Sequence, residues 1–308
     1  MLKKLSKKTI ITGIIILVIL VIVAAGEAVN AFNNNRAGSK GTIIIGAKGF
    51  AENEILASLY QDALQENGYK VKFIDNLDGD VLHKAIDTGK IDLYPEYTNT
   101  GVITILKHAP IFDPNKAYQY AKTQYKKKLH IIWLDQSAIN DTYGFILTKK
   151  AADKYGITNI SQLQKNSSKL RLAQEYDWNA DPAIGKALDA TYGKFHFASV
   201  KTYNTGLVYS VLKNNQADAL IAQTTDPQLK EKATYVLLKD NKKVWAPYYL
   251  TPIIREKTLK KYPEVAKIIN NVTKKIGSKD ILDLNQKVML QKQEYQDVAR
   301  DFYNSHVK

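Results

Sequence analysis

The sequence predicts an α/β protein with two lobes, and three observations lead to this fold class. From Thr42 the chain alternates short β-branched segments with segments whose apolar residues follow a helical spacing. A second series of the same kind occupies residues 143–222. In the segment 245–254, Pro247 and Pro252 exclude a helix or a central strand, so this segment is predicted to cross between the lobes.

The first lobe is predicted from a regular alternation of strands and helices. Its elements are a strand at Thr42–Gly46, a helix at Glu52–Asn67, a strand at Tyr69–Ile74, a helix at Asp80–Thr88 and a strand at Ile91–Tyr94. This order implies a parallel sheet with helices on its faces. Ligands bind at the carboxyl ends of the strands in such sheets, so the loops at 47–50 and 95–101 are the first candidate positions.

The second lobe is predicted from a second set of strands and helices. Its strands are Tyr143–Thr148, Leu170–Ala173, Ala219–Ala222 and Tyr235–Leu238, with helices around Ala183–Tyr192 and Gly206–Asn214. The segment 259–307 is helical by its apolar period. We therefore assign residues 42–141 together with 248–308 to one lobe, and residues 142–247 to the other.

Residues 1–41 carry an export signal. Four lysines precede an uncharged, mostly apolar stretch from Thr9 to about Gly26. Its length lies between a signal-peptide core and a membrane-spanning helix, and the basic flank predicts a cytoplasmic N-terminus. We expect a retained anchor helix followed by a polar linker, with cleavage after the small residues near Ala28 as the alternative. Either way, residues from about Glu27 onward lie outside the membrane.

The composition excludes several function classes. The chain has 308 residues, 45% of them hydrophobic, and no cysteine, which rules out disulfides, thiol catalysis, thiolate metal sites and a lipid-modified cysteine. The net charge of +14 is scattered apart from an N-terminal cluster, which argues against a nucleic-acid groove.

The sequence contains no phosphate-binding loop, nucleophile elbow or paired-histidine helix. Its five histidines are dispersed, so neither a metal site nor a cofactor is predicted. An extracellular hydrolase acting on a choline ester would need a positioned nucleophile and base, and the sequence offers no such pair.

Tyrosine is unusually frequent, with 19 residues against 8 phenylalanines. Three tyrosines, Tyr97, Tyr143 and Tyr248, stand where predicted strands end. A quaternary ammonium has no N–H to donate, so ring faces are suited to hold it. Tyrosines at helical spacing, such as Tyr118 and Tyr125, are typical of a half-buried helix face instead.

Six ordered motifs carry a family resemblance. They are Ile45–Phe50, Gly89–Thr100, Asn140–Tyr143, Gly206–Tyr209, Thr224–Asp226 and Ala246–Tyr248. With these motifs the chain resembles the substrate-binding proteins of ABC importers for compatible solutes such as glycine betaine, carnitine and choline. The resemblance implies a type II periplasmic-binding-protein-like fold, a ligand in the interlobe cleft, and permease subunits as partners.

The resemblance also implies a cage of four aromatic side chains around the trimethylammonium group. It places three of them on Tyr97, Tyr143 and Tyr248, whereas the fourth falls on Gln223, which has no ring. Either another aromatic completes the cage, with Trp178 as the best candidate, or the ligand is not a simple betaine.

For the carboxylate end of a betaine, the resemblance implies Lys48 and Thr100, with Arg171 as a weaker candidate. A bulkier betaine such as ergothioneine is an alternative ligand. A sensor or scaffold that has lost solute binding is an alternative function, favoured by the departure at Gln223.

Overall fold

The structure of the protein, a computed structural model, describes residues 40–180, 182–204 and 206–308. The predicted anchor helix falls within residues 1–39, which lie outside the described residues. Within the described ranges, no helix has the length and apolar character required to cross a membrane.

The described residues form ten strands. They are β1 (Thr42–Lys48), β2 (Lys70–Leu77), β3 (Leu93–Tyr97), β4 (Ile131–Trp133), β5 (Tyr143–Thr148), β6 (Arg171–Gln174), β7 (Ser199–Thr202), β8 (Ala219–Gln223), β9 (Tyr235–Leu237) and β10 (Leu250–Arg255). The strands build two five-stranded sheets, in the orders β2-β1-β3-β10-β4 and β7-β6-β8-β5-β9. β1 is parallel to β2 and β3, and β6 is parallel to β7 and β8. The predicted α/β class with two sheets is therefore confirmed.

Helices cover the sheets. The α-helices of the described residues are α1 (Ala51–Glu66), α2 (Gly79–Asp87), α3 (Pro114–Leu129), α4 (Lys149–Tyr155), α5 (Ile160–Asn166), α6 (Ala187–Tyr192), α7 (Val208–Lys213), α8 (Glu256–Lys261), α9 (Glu264–Lys275), α10 (Ser278–Asn285) and α11 (Tyr295–Phe302). Several begin at side-chain caps, and at α3 the Asp113 carboxylate accepts the backbone N–H of Lys116 at 2.8 Å.

Two hydrophobic clusters form the core of the first sheet and its helices. One joins β1 to α1, α9 and α11, and includes Ile45, Leu56, Leu59, Ile269 and Phe302. The other joins α2 and α3 to β3 and β4, and includes Leu82, Ile86, Tyr94, Tyr125 and Trp133. Apolar burial on both faces fixes the strands, and hence the positions of their carboxyl ends.

The second sheet is enclosed in the same way by two clusters of its own. One is rich in aromatic residues and includes Phe145, Trp178, Tyr192 and Trp245. The other packs α7 and includes Val208, Leu212 and Tyr235. Each sheet thus has its own core, which is the arrangement expected of two lobes.

The prediction that 245–254 contains no central strand is wrong, because β10 lies between β3 and β4. The carbonyl of Pro252 accepts the N–H of Leu134 at 2.9 Å, on the β4 side. In an antiparallel strand the N–H and C=O of a residue point to the same side, so Pro252 withholds no donor from β3. Opposite it on β3 stands Pro95, and β3 continues through this proline to Tyr97 instead of ending before it.

Candidate functional site

A cavity of about 550 Å³ is bounded by residues from both halves of the chain. Its lining consists of Phe50, Ala51, Glu52, Asp141, Tyr143, Gln174, Glu175, Tyr176, Trp178, Gly206, Val208, Tyr209, Ile221, Ala222, Gln223, Thr225, Asp226, Gln228, Asn285 and Met289. This volume suits a small-molecule ligand.

The carboxyl ends of β6 and β8 supply one wall of the cavity. Gln174 is the last residue of β6 and Gln223 the last of β8, and these two strands are parallel neighbours. Because parallel strands end at the same edge of a sheet, the residues that follow them meet there. Trp178 and Asp226 reach the lining in this way.

The start of α1 and the end of α10 supply the opposite wall. Glu52 lies in the first turn of α1, where the helix dipole favours a negative charge, and it is 3% exposed. The Tyr97 hydroxyl donates to Glu52 Oε1 at 2.7 Å. Asn285, the last residue of α10, donates from Nδ2 to the carbonyl of Thr225 at 3.1 Å and so joins the two walls.

Four carboxyl groups belong to the lining, on Glu52, Asp141, Glu175 and Asp226. Burial raises the pKa of Asp141 to about 8, and the nearby Glu52 carboxylate adds to this effect. Burial likewise raises the pKa of Asp226 to about 7, and it raises the pKa of Glu52. No Lys, Arg or His occurs among the described residues that line the cavity.

Two of the buried carboxyl groups accept hydrogen bonds from hydroxyl groups. Thr225 Oγ1 donates to Asp141 Oδ1 at 2.7 Å, and the Tyr209 hydroxyl donates to Asp226 Oδ2 at 2.7 Å. These neutral donors fix the carboxyl groups in place and bring no positive charge next to them.

Aromatic rings line the same cavity. Phe50, Tyr143, Tyr176, Trp178 and Tyr209 belong to the lining. Phe50 and Tyr176 are more than 40% exposed, whereas Trp178 is 3% exposed. The site therefore presents ring faces together with acidic groups, a combination suited to a cation.

Tyr97 and Tyr248 lie in contact with lining rings. The Tyr97 ring stacks on Phe50 with centroids 6.2 Å apart, and the Tyr248 ring meets Tyr143 edge-on at 6.3 Å. Tyr97 is 4% exposed. Of the predicted site residues, the structure thus brings Tyr143, Trp178 and Gln223 to the cavity wall, with Tyr97 and Tyr248 next to it.

Lys48 and Thr100 are not among the lining residues that the structure describes. The Lys48 ammonium forms an ion pair with Glu96 and lies 5.2 Å from the centroid of the Tyr97 ring. Thr100 begins a π-helical segment, Thr100–Ile105. The Lys48 ammonium, which was predicted to bind a ligand carboxylate, is therefore already paired with Glu96 inside the protein.

Arg171 stands at the start of β6, at the end opposite Gln174. Its guanidinium donates twice to Asp218, from Nε at 2.8 Å and from Nη2 at 2.9 Å. The structure therefore directs this predicted carboxylate-binding group away from the cavity. Tyr249, which follows Tyr248 in the sequence, forms a main-chain bridge with Asn140 and is likewise outside the described lining.

Sequence reasoning missed most of the acidic wall. Asp141 and Asp226 lie inside the quoted family motifs, next to strand ends, so both could have been predicted as site residues from their position. Glu52 is marked by its place in the first turn of a predicted helix. Asn285 and Met289 come from the C-terminal helices, where no local pattern distinguishes them from other helix residues.

Residues 41–305 match the family model of the substrate-binding domain of ABC-type glycine betaine transport systems. A carnitine transport binding protein of Listeria monocytogenes is 30% identical over 270 residues, 86% of each chain. An ergothioneine transport permease and ergothioneine-binding protein of Helicobacter pylori is 30% identical over 262 residues, 84% of this chain and 47% of that protein.

A solved structure is also similar over most of the chain. The crystal structure of a glycine betaine/carnitine/choline ABC transporter protein superposes with a TM-score of 0.79 at 28% identity, and the match covers 86% of this chain and 98% of that one.

Proposed function

The chain belongs to the family of substrate-binding domains of ABC-type glycine betaine transport systems, and we propose that it captures a small quaternary-ammonium solute for an importer. The solute would occupy the cavity between the two sheets. Outside the cytoplasm, the protein would pass the solute to the permease subunits of the importer. This is binding and release, without covalent chemistry.

The observation that carries this proposal is the meeting of aromatic rings and carboxyl groups in one cavity. A quaternary ammonium has no N–H, so ring faces and nearby acidic groups are what hold it. Tyr143, Trp178 and Tyr209 supply rings, and Asp141 and Asp226 supply carboxyl groups.

We assign the predicted cage of Tyr97, Tyr143 and Tyr248 to this site, with Trp178 in place of the ring missing at Gln223. The contact of Tyr248 with Tyr143 and that of Tyr97 with Phe50 support a layered cage, in which the inner rings face the solute. Gln223 lies in the lining and is proposed to face a polar part of the ligand.

Contacts across the cleft are consistent with a closed state of the two lobes. Lys230 pairs with Asp283 on α10, and Asn285 donates to Thr225. Ligand-driven hinge closure would form such contacts, and the permease would recognise the closed form. Membrane tethering through residues 1–41, on the extracellular face of the membrane, belongs to the same proposal.

A bulkier betaine is a second candidate ligand. The ergothioneine-binding relative at 30% identity and the amide at Gln223 favour it over the simplest betaine.

Calorimetric titration with a panel of quaternary ammonium compounds tests the function. We expect Tyr143→Ala and Trp178→Ala each to weaken the best ligand by about tenfold or more, with Tyr143→Phe losing less because its ring face remains. Tyr120→Ala, which removes a ring that packs at a tilt against His108 away from the lining, is the matched control. Absence of binding heat with every compound would instead favour a sensor or scaffold.

A further inference from the structure

We infer that the end of the molecule opposite the ligand cavity is a docking surface for an anionic lipid bilayer, formed by exposed lysines of both lobes. These lysines, which we call the basic pole, lie at the end of α3, on α8, and on and beside α4: Lys126, Lys127, Lys128, Lys257, Lys260, Lys150, Lys154 and Lys169. The surface is separate from the cavity, so the inference does not depend on which solute the cavity takes.

Strand directions place the lysines of the first sheet at the edge away from the cavity. β3 ends at Tyr97, next to the cavity lining, and β10 runs antiparallel to it, so β10 ends at the far edge with Arg255. β4 begins at that same edge, because Ile131 pairs with Arg255. The end of α3, which leads into β4, and α8, which follows β10, therefore both present their lysines there.

The second sheet has the same polarity. β6 ends at Gln174 and β5 begins at Tyr143, and both residues line the cavity. The start of β6 and the end of β5 are therefore at the far edge. Lys169 precedes β6 there, and α4, which follows β5, brings Lys150 and Lys154 to the same edge. Positive charge that is scattered along the sequence is thus gathered by the fold.

The grooves of the basic pole are poor in acidic groups. Lysine and arginine side chains dominate their lining, whose acidic residues, within the described part of the chain, are Asp87, Asp218 and Glu256. Glu256 is already paired with Lys260 at 3.1 Å, and Asp218 is paired with Arg171. Most of the positive charge of the pole is therefore left uncompensated.

Helix stability does not account for these lysines. The helix dipole favours a cation in the last turn, which explains the lysines at the end of α3. Lys150 and Lys257, however, are the second residues of α4 and α8, where the dipole disfavours a positive charge. Their exposure at the same edge points to an anionic partner outside the protein.

Two observations favour a bilayer as this partner. The described chain starts at the same edge, because β1 begins at Thr42 and is parallel to β3. In the tethered form proposed above, the residues between about Glu27 and Thr42 span at most about 50 Å, which keeps the pole near the membrane. The lysines are also spread over both lobes, which suits a plane of headgroups better than a single small anion.

Docking by the basic pole would give the protein a defined orientation. The cavity would face away from the bilayer and stay accessible to solute. Because the attraction is electrostatic and is screened within about 10 Å at moderate ionic strength, it is reversible, and the protein can leave the lipid to reach the permease.

A fluorescent label on one introduced cysteine reports which end of the full chain meets lipid, since the chain has no cysteine of its own. Thr123→Cys places the label in a groove of the basic pole, and Gln291→Cys places it near Met289 of the cavity lining. Energy transfer to an acceptor lipid is measured on vesicles with and without phosphatidylglycerol in phosphatidylcholine. On the anionic vesicles we expect at least about threefold more transfer from the Thr123→Cys label, and loss of this excess in about 0.5 M salt.

Charge-removing variants of the chain labelled at the pole test whether the named lysines cause the orientation. Lys126→Gln, Lys127→Gln and Lys128→Gln are combined in one variant, and Lys150→Gln and Lys154→Gln in another. Each should remove at least about half of the excess transfer seen on anionic vesicles, at saturating lipid. Residues 1–39 are the same in every variant, so their own affinity for lipid does not produce the difference.

The matched control removes three lysines on the cavity side, in α10 and after it, by combining Lys279→Gln, Lys287→Gln and Lys292→Gln. It should keep the wild-type transfer although it loses as much charge as the α3 variant. None of the replaced lysines belongs to the described lining of the cavity. All variants should therefore bind the solute as the wild type does, so the proposed function and this inference can fail separately.

Three results overturn the inference. One is equal transfer from the two label positions, or equal transfer on anionic and zwitterionic vesicles. Another is a control variant that loses as much transfer as the pole variants, because the effect would then reflect net charge alone. The third is binding of linear inorganic polyphosphate that depends on the pole lysines while anionic vesicles are not bound, which would identify a soluble polyanion as the partner.

Discussion

The ion pair of Lys48 and Glu96 is the residue contact that most affects the interpretation of the site. Lys48 was expected to meet a ligand, and it instead neutralises a carboxylate that is almost fully buried. Glu96 also accepts two hydrogen bonds, from the Tyr94 hydroxyl at 3.0 Å and from the backbone N–H of Tyr97 at 2.8 Å. The pair thus anchors β3, the strand that positions Tyr97, and its role is structural.

Replacing Lys48 should therefore destabilise the fold. We expect Lys48→Met to lower the free energy of unfolding by about 3–5 kcal/mol, because Glu96 is left buried and uncompensated. Lys149→Met, which breaks an exposed pair with Asp153, should change it by about 0–1 kcal/mol. Urea denaturation measures both values, and equal stability of the two variants would show that Glu96 does not depend on Lys48.

Asp141 should make the stability of the ligand-free protein depend on pH. Its pKa of about 8 in the folded protein lies above the value of about 3.9 of an exposed aspartate, so the folded state keeps a proton that the unfolded chain releases. The stabilisation is complete at low pH and is lost as the pH rises toward about 8. Burial also raises the pKa of Asp226, so this residue likewise lowers the stability of the folded protein as the pH rises.

Thermal unfolding at a series of pH values measures this effect. Asp141→Asn should flatten the decline of Tm between about pH 4 and about pH 8, whereas Asp153→Asn should keep the wild-type slope. A wild-type Tm that rises across this window would contradict the assignment.

Among the elements, α3 depends on its N-terminal cap. The Asp113 carboxylate accepts the N–H of Lys116, and Pro114 opens the helix with the backbone angle already set. Asp113→Ala should lower the free energy of unfolding by about 1 kcal/mol, and Asp113→Asn should lower it less because the amide oxygen can still accept. Chemical denaturation distinguishes them, and equal losses in the two variants would argue against capping.

β10 is an internal strand although it contains a proline. Proline is rare inside sheets because it removes a donor. At Pro252 the donor is missing only toward β4, and on the β3 side the proline faces another proline. The register pairs the two prolines at a position where the strands exchange no hydrogen bond, so neither needs an N–H toward the other. Register depends on strands far apart in the sequence.

In the whole molecule, the cavity exists because two separately cored sheets face each other. The residues that supply its walls come from α1, from the ends of β6 and β8, and from α10. Hydrogen bonding of Asn285 to Thr225 links the halves directly. Ligand affinity is therefore a property of both lobes.

All described elements of the cavity lie after residue 40, which leads to a prediction for the chain as a whole. A protein comprising residues 40–308 should bind the best ligand with a Kd within about threefold of that of the full chain, since it retains both sheets and every lining residue. Calorimetric titration of both proteins checks this. A much weaker shortened protein would show that residues 1–39 contribute to binding.

The amino-acid sequence by itself determined the α/β class, the order of most strands and helices, and the tyrosines at strand ends. These features follow from local periodicity and from turn and cap residues, which act over a few positions. Its motifs also indicated the family. The positions of Tyr143 and Gln223 at the end of the second sheet could be predicted because strand ends are visible in the sequence.

The tertiary structure alone decided the chemical character of the cavity. Glu52, Asp141, Asp226 and Asn285 are separated by up to 233 positions, as the contact of Asn285 with Glu52 shows. Likewise, the partner of Lys48 is 48 residues away on β3. Such neighbours are set by sheet order and by the packing of the lobes, which no short-range pattern specifies. The acidic character of the cavity therefore depends on the folded chain.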